Sequence, residues 1–277
     1  MYTNQTLLSD LSIVAFDTET SGAYPVGYDI VEFGAIKYYQ GREVATLQFL
    51  FKPREPMSDF IIGIHGISNE MVENCESISS KIQDIYNFFK DSVIVAHHAP
   101  FDLGFMVFDF ERANLPMPSE AVLCSSLLSR KLIHETENHK LQTLVKHFGW
   151  DGGNAHRALD DARSCLQLTL ECFKRLGPEA TLEKAQKVQE KKLDWSSYSI
   201  LYSSDGHLKT LAQACLGKKQ VDMIYEKGGG GRNEVRQVLP IGLVRNPDSD
   251  FLHAHCMRDN IAKRFYLNKI KDVSIRF

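Results

Sequence analysis

Two acids, one residue apart, close the first apolar run of the chain: Ile13, Val14, Ala15 and Phe16 lead into Asp17 and Glu19. In an extended strand, side chains two apart share a face, so these carboxylates project together. They repel one another unless a cation lies between them. Oxygen ligands of this kind suit hard divalent ions, Mg²⁺ or Mn²⁺, rather than zinc. A third acid, Asp102, lies in VIVAHHAPFDLGF, where a buried strand passes through His97, His98 and Pro100 into a helix. A last cluster, NAHRALDDA, places His156 in a loop ahead of a helix carrying Asp160 and Asp161. An imidazole with an ordinary pKa of about 6.5 accepts a proton near neutrality. Asp161 adjoins the apolar stripe position Ala162 and faces inward, while Asp160 is turned away by about 100°. Taken singly, each cluster also reads as ordinary structure: a polar strand end, a first-turn acid complementing the helix dipole, and a capping histidine.

These side chains need elements to hold them. Residues 12–19 read as a strand buried on both faces, and residues 29–39 and 43–51 as two more, joined at Gln40-Gly41 by a tight hairpin turn. Three antiparallel strands result. Residues 78–90 show helical spacing, residues 93–96 form a short buried strand, and residues 101–113 and 158–176 are helices. This order predicts an α/β domain over residues 1–177, stopped by Gly177-Pro178. Residues 178–206 are charged, helix-prone and poor in apolar positions, the pattern of a linker helix. Beyond them a short helix at 208–216 and alternating strands at 220–227, 233–239, 251–257 and 262–267 predict a smaller β-rich domain over 207–277. Gly228 to Gly231 would form a hairpin tip, and Pro240 and Asn246-Pro247-Asp248 would mark later turns.

The composition accommodates two such cores: 277 residues, 43% hydrophobic and 24% charged. It excludes a disordered chain or a disulfide-stapled miniprotein. The net charge of −3 hides a split, with 15 Lys+Arg against 23 Asp+Glu over residues 1–177, and 17 against 12 over residues 178–277. The positive part is what a phosphate-bearing partner would seek. Six dispersed cysteines without a CxxC pair, and an N-terminus lacking a signal pattern, point to a reduced, cytoplasmic protein. No apolar run approaches the roughly 20 residues that span a bilayer, so no membrane partner is expected.

In chain order the acids and histidine form D-x-E, then D, then H-x4-D. FDTETSG at 16–22, VAHHAPFD at 95–102 and HRALDDA at 156–162 resemble the three motifs of the DEDDh (DnaQ-like) exonucleases, and IHGIS at 64–68 matches a further segment. The resemblance covers most of residues 10–176. It implies an RNase H-like mixed sheet flanked by helices. It further implies that Asp17, Glu19, Asp102 and Asp161 hold two divalent metal ions, Mg²⁺ or Mn²⁺, about 4 Å apart, with His156 as general base. Family members release 5′-mononucleotides from a 3′ end. The resemblance to the proofreading subunit of bacterial replicative polymerase makes DNA at single-stranded 3′ ends the expected substrate, in repair or in proofreading beside a polymerase partner. RNA, as in the RNase T and oligoribonuclease groups, is the alternative. Thr18, Thr20, His65, Gly66, Ile67 and His98 would line the path of the terminal nucleotide; many relatives have Asn where His98 stands.

The C-terminal region has its own resemblance. VDMIYEK, EVRQVLPIGLVRN, FLHAHCMRD and KRFYLNKIKDVSI are similar to the WYL domain, an SH3-like β-barrel module of bacterial regulators. Phe251-Leu252-His253 replaces the name-giving tripeptide, and Lys269 stands where relatives often carry Arg. Arg236, His255, Arg258, Lys263 and Arg264 would form a phosphate-contacting face, with Tyr225, Phe251 or Tyr266 for base stacking. Such a module would hold a nucleotide or single-stranded nucleic acid. A third reading makes it a ligand sensor controlling the nuclease domain.

Overall fold

The computed structural model describes residues 2–226, 233–246 and 250–276. The chain divides into two compact units. The first comprises the chain up to Ser21, Ile30–Leu103 and Pro118–Asp194; the second comprises Gly22–Asp29, Gly104–Met117 and the chain from Trp195 onward.

Strands β1 (Ile13–Thr20), β2 (Ile30–Tyr39) and β3 (Arg42–Leu50) open the fold. Helices α1 (Asp59–His65), α2 (Asn69–Val72) and α3 (Ile82–Phe89) lead to β4 (Val93–Ala96) and α4 (Pro100–Arg112). Then come β5 (Val122–Cys124), α5 (Ser125–Leu132), α6 (Leu141–Phe148), α7 (Ala158–Leu176) and α8 (Leu182–Gln189). The sheet runs β3-β2-β1-β4-β5. The first three strands are antiparallel, and β1-β4 and β4-β5 are parallel. The mixed sheet flanked by helices is the expected architecture. Gln40 (φ 50°) and Gly41 (φ 80°) both take the left-handed conformation that a two-residue hairpin turn requires.

Helix α7 is the element that completes the site. Ala158, Ala162, Cys165, Thr169, Phe173 and Leu176 form its buried stripe, and it lies against β1 and β2. Close approach depends on Gly34 of β2, where an added Cβ would stand 2.2 Å from the Leu159 backbone nitrogen. Helix α8 falls in the segment expected as a linker, yet Leu182 and Ala185 are fully buried in this unit's core, and Gln189 accepts the Cys124 N–H at 2.6 Å. The segment 178–206 divides between the units after Asp194.

In the second unit, α9 (Gly206–Leu216) precedes β6 (Val221–Tyr225), β7 (Glu234–Val244), β8 (Phe251–Cys256), β9 (Ile261–Tyr266) and β10 (Ile270–Ile275). They form one antiparallel sheet ordered β10-β6-β7-β8-β9. Among the described residues β9 and β10 do not pair, so the sheet is open and not the closed SH3-like barrel expected. Its apolar face is covered instead by α9, whose Leu208, Leu211, Ala212 and Cys215 join Val221, Met223, Val238 and Leu252 in one core. Pro240, expected in a turn, lies inside β7 beside a register shift at Pro240/Gly242, a bulge that tolerates its missing N–H. The expected tip at Gly228 to Gly231 and turn at Pro247-Asp248 fall outside the described residues.

Two segments distant in sequence complete this unit. Val26 and Leu243 exchange backbone hydrogen bonds (3.3 and 2.9 Å), and a Cβ at Gly242 would stand 2.4 Å from the Tyr24 side chain. Buried Glu111 of α4 accepts the N–H groups of Ile200, Leu201 and Tyr202 and the Ser199 hydroxyl. Among the described residues no helix is long and apolar enough to cross a membrane.

Candidate active site

The end of β1 carries Asp17 and Glu19, the first turn of α4 carries Asp102, and the first turn of α7 carries Asp161. All four lie in the first unit, and all four carboxyls are held above their ordinary range. Burial raises Asp17 well above it, and the charges of Asp102, Glu19 and Asp161 add to the shift. Burial and then the Asp161 charge push Glu19 up to about 8. Burial lifts Asp102 to about 7, although hydrogen bonds from Thr18 work in the opposite direction. Asp161 is raised by burial against hydrogen bonds from the His156 N–H and Gln142. Buried acids gathered in one place favour a cation between them.

The tightest grouping is Glu19, His156 and Asp161, whose ligand atoms all lie within 4.8 Å of one another. Carboxylate oxygens and an imidazole are a donor set that a divalent cation accepts, so the residues present fit a metal ion. Asp17 and Asp102 stand outside that trio and act on the same cluster through their charge. His156 is exposed and left-handed (φ 61°), and its backbone N–H donates to Asp161 Oδ2 at 2.9 Å. Gln142 of α6 donates to Asp161 Oδ1, also at 2.9 Å. Asp160, as its helical phase requires, points elsewhere, accepting the Asn154 N–H and pairing with Arg163.

Thr18, expected along the nucleotide path, turns inward. Its hydroxyl donates to Asp102 Oδ1 at 2.7 Å and its N–H to the same oxygen at 3.1 Å. Thr20 is buried at the end of β1. His65 is buried as well; desolvation lowers its pKa, and the charges of Glu32, His156 and Arg157 act on it, which sets this turn beside the cluster. Gly66 caps α1 in the left-handed conformation (φ 72°), and fully buried Ile67 donates its N–H to His65 Nδ1 at 3.0 Å. His98 is exposed with φ 64°. Its neighbour His97 is fixed between Ser125 Oγ (2.9 Å) and the His139 carbonyl (3.0 Å), and burial lowers its pKa to about 4.

Sequence reasoning missed Glu32. This acid on β2 is fully buried, opposite Glu19 in register, and is gripped by Arg157 Nε (3.1 Å) and Nη2 (2.9 Å), the Ala158 N–H (3.0 Å) and Gln48 (3.0 Å). Burial pushes its carboxyl up, but these donors together hold it below the usual range, unlike the four site acids. The available signal was a lone acid inside the apolar run IVEFGAI.

In the second unit the expected basic face divides. Arg236 pairs with Glu234 (2.6 Å) and Asp259 (3.0 Å), Arg258 bridges the same two acids (3.1 Å each), and Lys263 pairs with Asp259. Arg264 and His255 alternate onto the opposite face of the sheet. There the Arg264 guanidinium lies 4.6 Å from the Phe251 ring centroid, with Tyr24 packed edge-on to Phe251 at 6.1 Å. His255 meets Asn260 at 3.1 Å. Tyr266 is exposed, whereas Tyr225 packs edge-on against core residue Phe265 at 5.2 Å and accepts the Tyr266 N–H.

The strand order, the helix across β1 and β2, and the acids at the strand and helix ends define an RNase H-like nuclease fold. Residues 14–169 match the family model for Exonuclease, and the chain belongs to that family. Residues 206–275 match the WYL domain. DNA polymerase III PolC-type of Streptococcus pneumoniae is 35% identical over 157 residues, covering 57% of this chain and 11% of that polymerase. The chain thus spans only a small fraction of that relative. Exonuclease X in complex with 5′ overhanging duplex DNA is 26% identical, with a TM-score of 0.50 over 64% of this chain and 99% of that one. Exonuclease I shares the fold at 14% identity and a TM-score of 0.54, over 88% of this chain and 55% of that one.

Proposed function

We propose that the protein is a metal-dependent 3′-to-5′ exonuclease that removes 5′-mononucleotides from single-stranded 3′ ends of DNA. The observation that carries this reading is the set of four elevated carboxyls, with His156 within ligand distance of two of them. In this reading Asp17, Glu19, Asp102 and Asp161 hold two divalent cations, Mg²⁺ or Mn²⁺. When bound, such ions lower the pKa of water and stabilise the leaving oxygen of an in-line phosphodiester displacement. The chain's own residues do the rest. His156 takes the proton of the attacking water from an exposed position where the imidazole reaches solvent. Thr18 fixes the rotation of Asp102 through both of its donors, and Gln142 fixes Asp161. The turn at His65, Gly66 and Ile67 borders the terminal nucleotide.

The PolC and Exonuclease X similarities favour DNA over RNA and leave room for a polymerase partner. The second unit, in the same reading, holds the single strand or a nucleotide on the face bearing Arg264 and Phe251. The test is a digestion of 5′-labelled single- and double-stranded DNA and RNA with Mg²⁺, Mn²⁺ or chelator. A chelator-sensitive ladder shortening from the 3′ end of single-stranded DNA is expected. Internal cleavage alone, or a ladder only on RNA, would overturn the corresponding part of the proposal.

A further inference from the structure

Glu32 is set apart from the acids around it by its partners. It lies opposite Glu19 in the β1–β2 register and is matched by a guanidinium and two further donors. A carboxylate whose oxygens are already filled by Arg157, the Ala158 N–H and Gln48 has little left to offer a cation. It is therefore a poor ligand despite its address. Its partners lie immediately after His156, which points to another task.

His156 sits in a left-handed backbone conformation that costs a non-glycine residue free energy and persists only when its surroundings enforce it. Two clamps do so. On one side, its own N–H is held by Asp161 at 2.9 Å. On the other, the next residue, Arg157, is held by the bidentate grip of Glu32, and the residue after that, Ala158, gives Glu32 its N–H at the start of α7. Arg157 makes no side-chain cap for α7, so Glu32 reaches across from β2 to serve the first free donor of that helix. Gly34, two residues along the same strand face, lets the helix approach closely enough for that reach.

We propose that Glu32 is a positioning residue for His156: through Arg157 and Ala158 it fixes the loop that presents the imidazole. This rests on the reading of His156 as general base. Glu32→Gln keeps the shape and removes the charge, and Arg157→Lys keeps the charge and removes the fork. In Glu32→Gln, kcat on single-stranded DNA should fall about 10- to 100-fold with KM little changed, and Arg157→Lys should fall between it and the native protein. The decisive measurement is a double-mutant cycle. If Glu32 works through His156, then Glu32→Gln adds little to the loss already caused by His156→Ala. Additive losses would assign Glu32 to general stability and overturn the proposal.

A second readout does not depend on turnover. Hydrogen exchange of the peptide around residues 154–158 should quicken in Glu32→Gln while the remaining strands stay protected. Unchanged exchange there would overturn the positioning role whatever the nuclease activity. If instead the loop loosens as expected and His156→Ala costs no activity, the positioning by Glu32 stands and the base assignment fails.

Discussion

At the scale of single residues, the site stores repulsion that a bound cation would relieve. Glu19 titrates near 8 instead of 4.5 and Asp102 near 7 instead of 3.8, with burial the leading cause for each. The folded state therefore holds more protons than the unfolded chain across that window. Stability of the metal-free protein is full below the unfolded values and is lost as pH rises toward the folded ones. A bound divalent ion removes that loss, so the rise in melting temperature caused by Mg²⁺ should be larger at pH 8 than at pH 5, a comparison made by scanning fluorimetry. Equal shifts at both values would mean that these carboxyls do not bind the ion. Asp17→Asn should lower activity by more than about 100-fold, yet raise the melting temperature of the metal-free protein, because it deletes charge and keeps volume. Thr18→Val removes the hydroxyl that donates to Asp102. Activity should drop by about 10-fold, with Thr18→Ser close to the native protein, as read in steady-state kinetics.

At the scale of elements, most of what positions the site was legible because it obeys one-dimensional rules. The strand ending in Asp17 and Glu19 is a continuous apolar run, β4 is fully buried at the expected residues, and α7 has a stripe at helical spacing whose bounds match the expectation. Asp161 faces inward and Asp160 outward, as helical phase dictates. What escaped lacks such a signal. Strand β5 is three residues long, too short for a pattern, and β10 follows β9 after a single turn. The Glu32–Arg157 pair joins residues 125 apart in sequence, and no local periodicity encodes it. The close approach of α7 to β2 was equally invisible, since it depends on what Gly34 lacks. Gly34→Ala, with its Cβ 2.2 Å from the Leu159 nitrogen, must push the helix outward. It should destabilise the protein by about 1–3 kcal/mol in urea unfolding, and lower activity disproportionately because α7 carries Asp161.

At the scale of the whole chain, the charge split invites a simple picture in which the basic C-terminal part attracts the nucleic acid. The structure refines which charges are available to do so. Arg236, Arg258 and Lys263 share two acids, Glu234 and Asp259, so most of the positive charge at that end of the sheet is already paired. Arg264 lies on the opposite face against Phe251, with no acidic partner among the described residues, and the exposed ring of Tyr266 lies on the same face. A free guanidinium against an aromatic ring is what a single strand uses, the cation meeting phosphate and the ring meeting a base. Phosphate contacts release counterions, so each one lost lowers the dependence of log K on log salt by about 1. Arg264→Ala should therefore weaken binding of single-stranded DNA and flatten that slope by about 1, in anisotropy titrations with Ca²⁺ in place of Mg²⁺ to suppress cleavage. Arg258→Ala, which removes a charge already paired with Glu234 and Asp259, should leave the slope unchanged. The reverse ranking would place the nucleic acid on the Glu234–Asp259 end of the sheet and reject the Arg264 face.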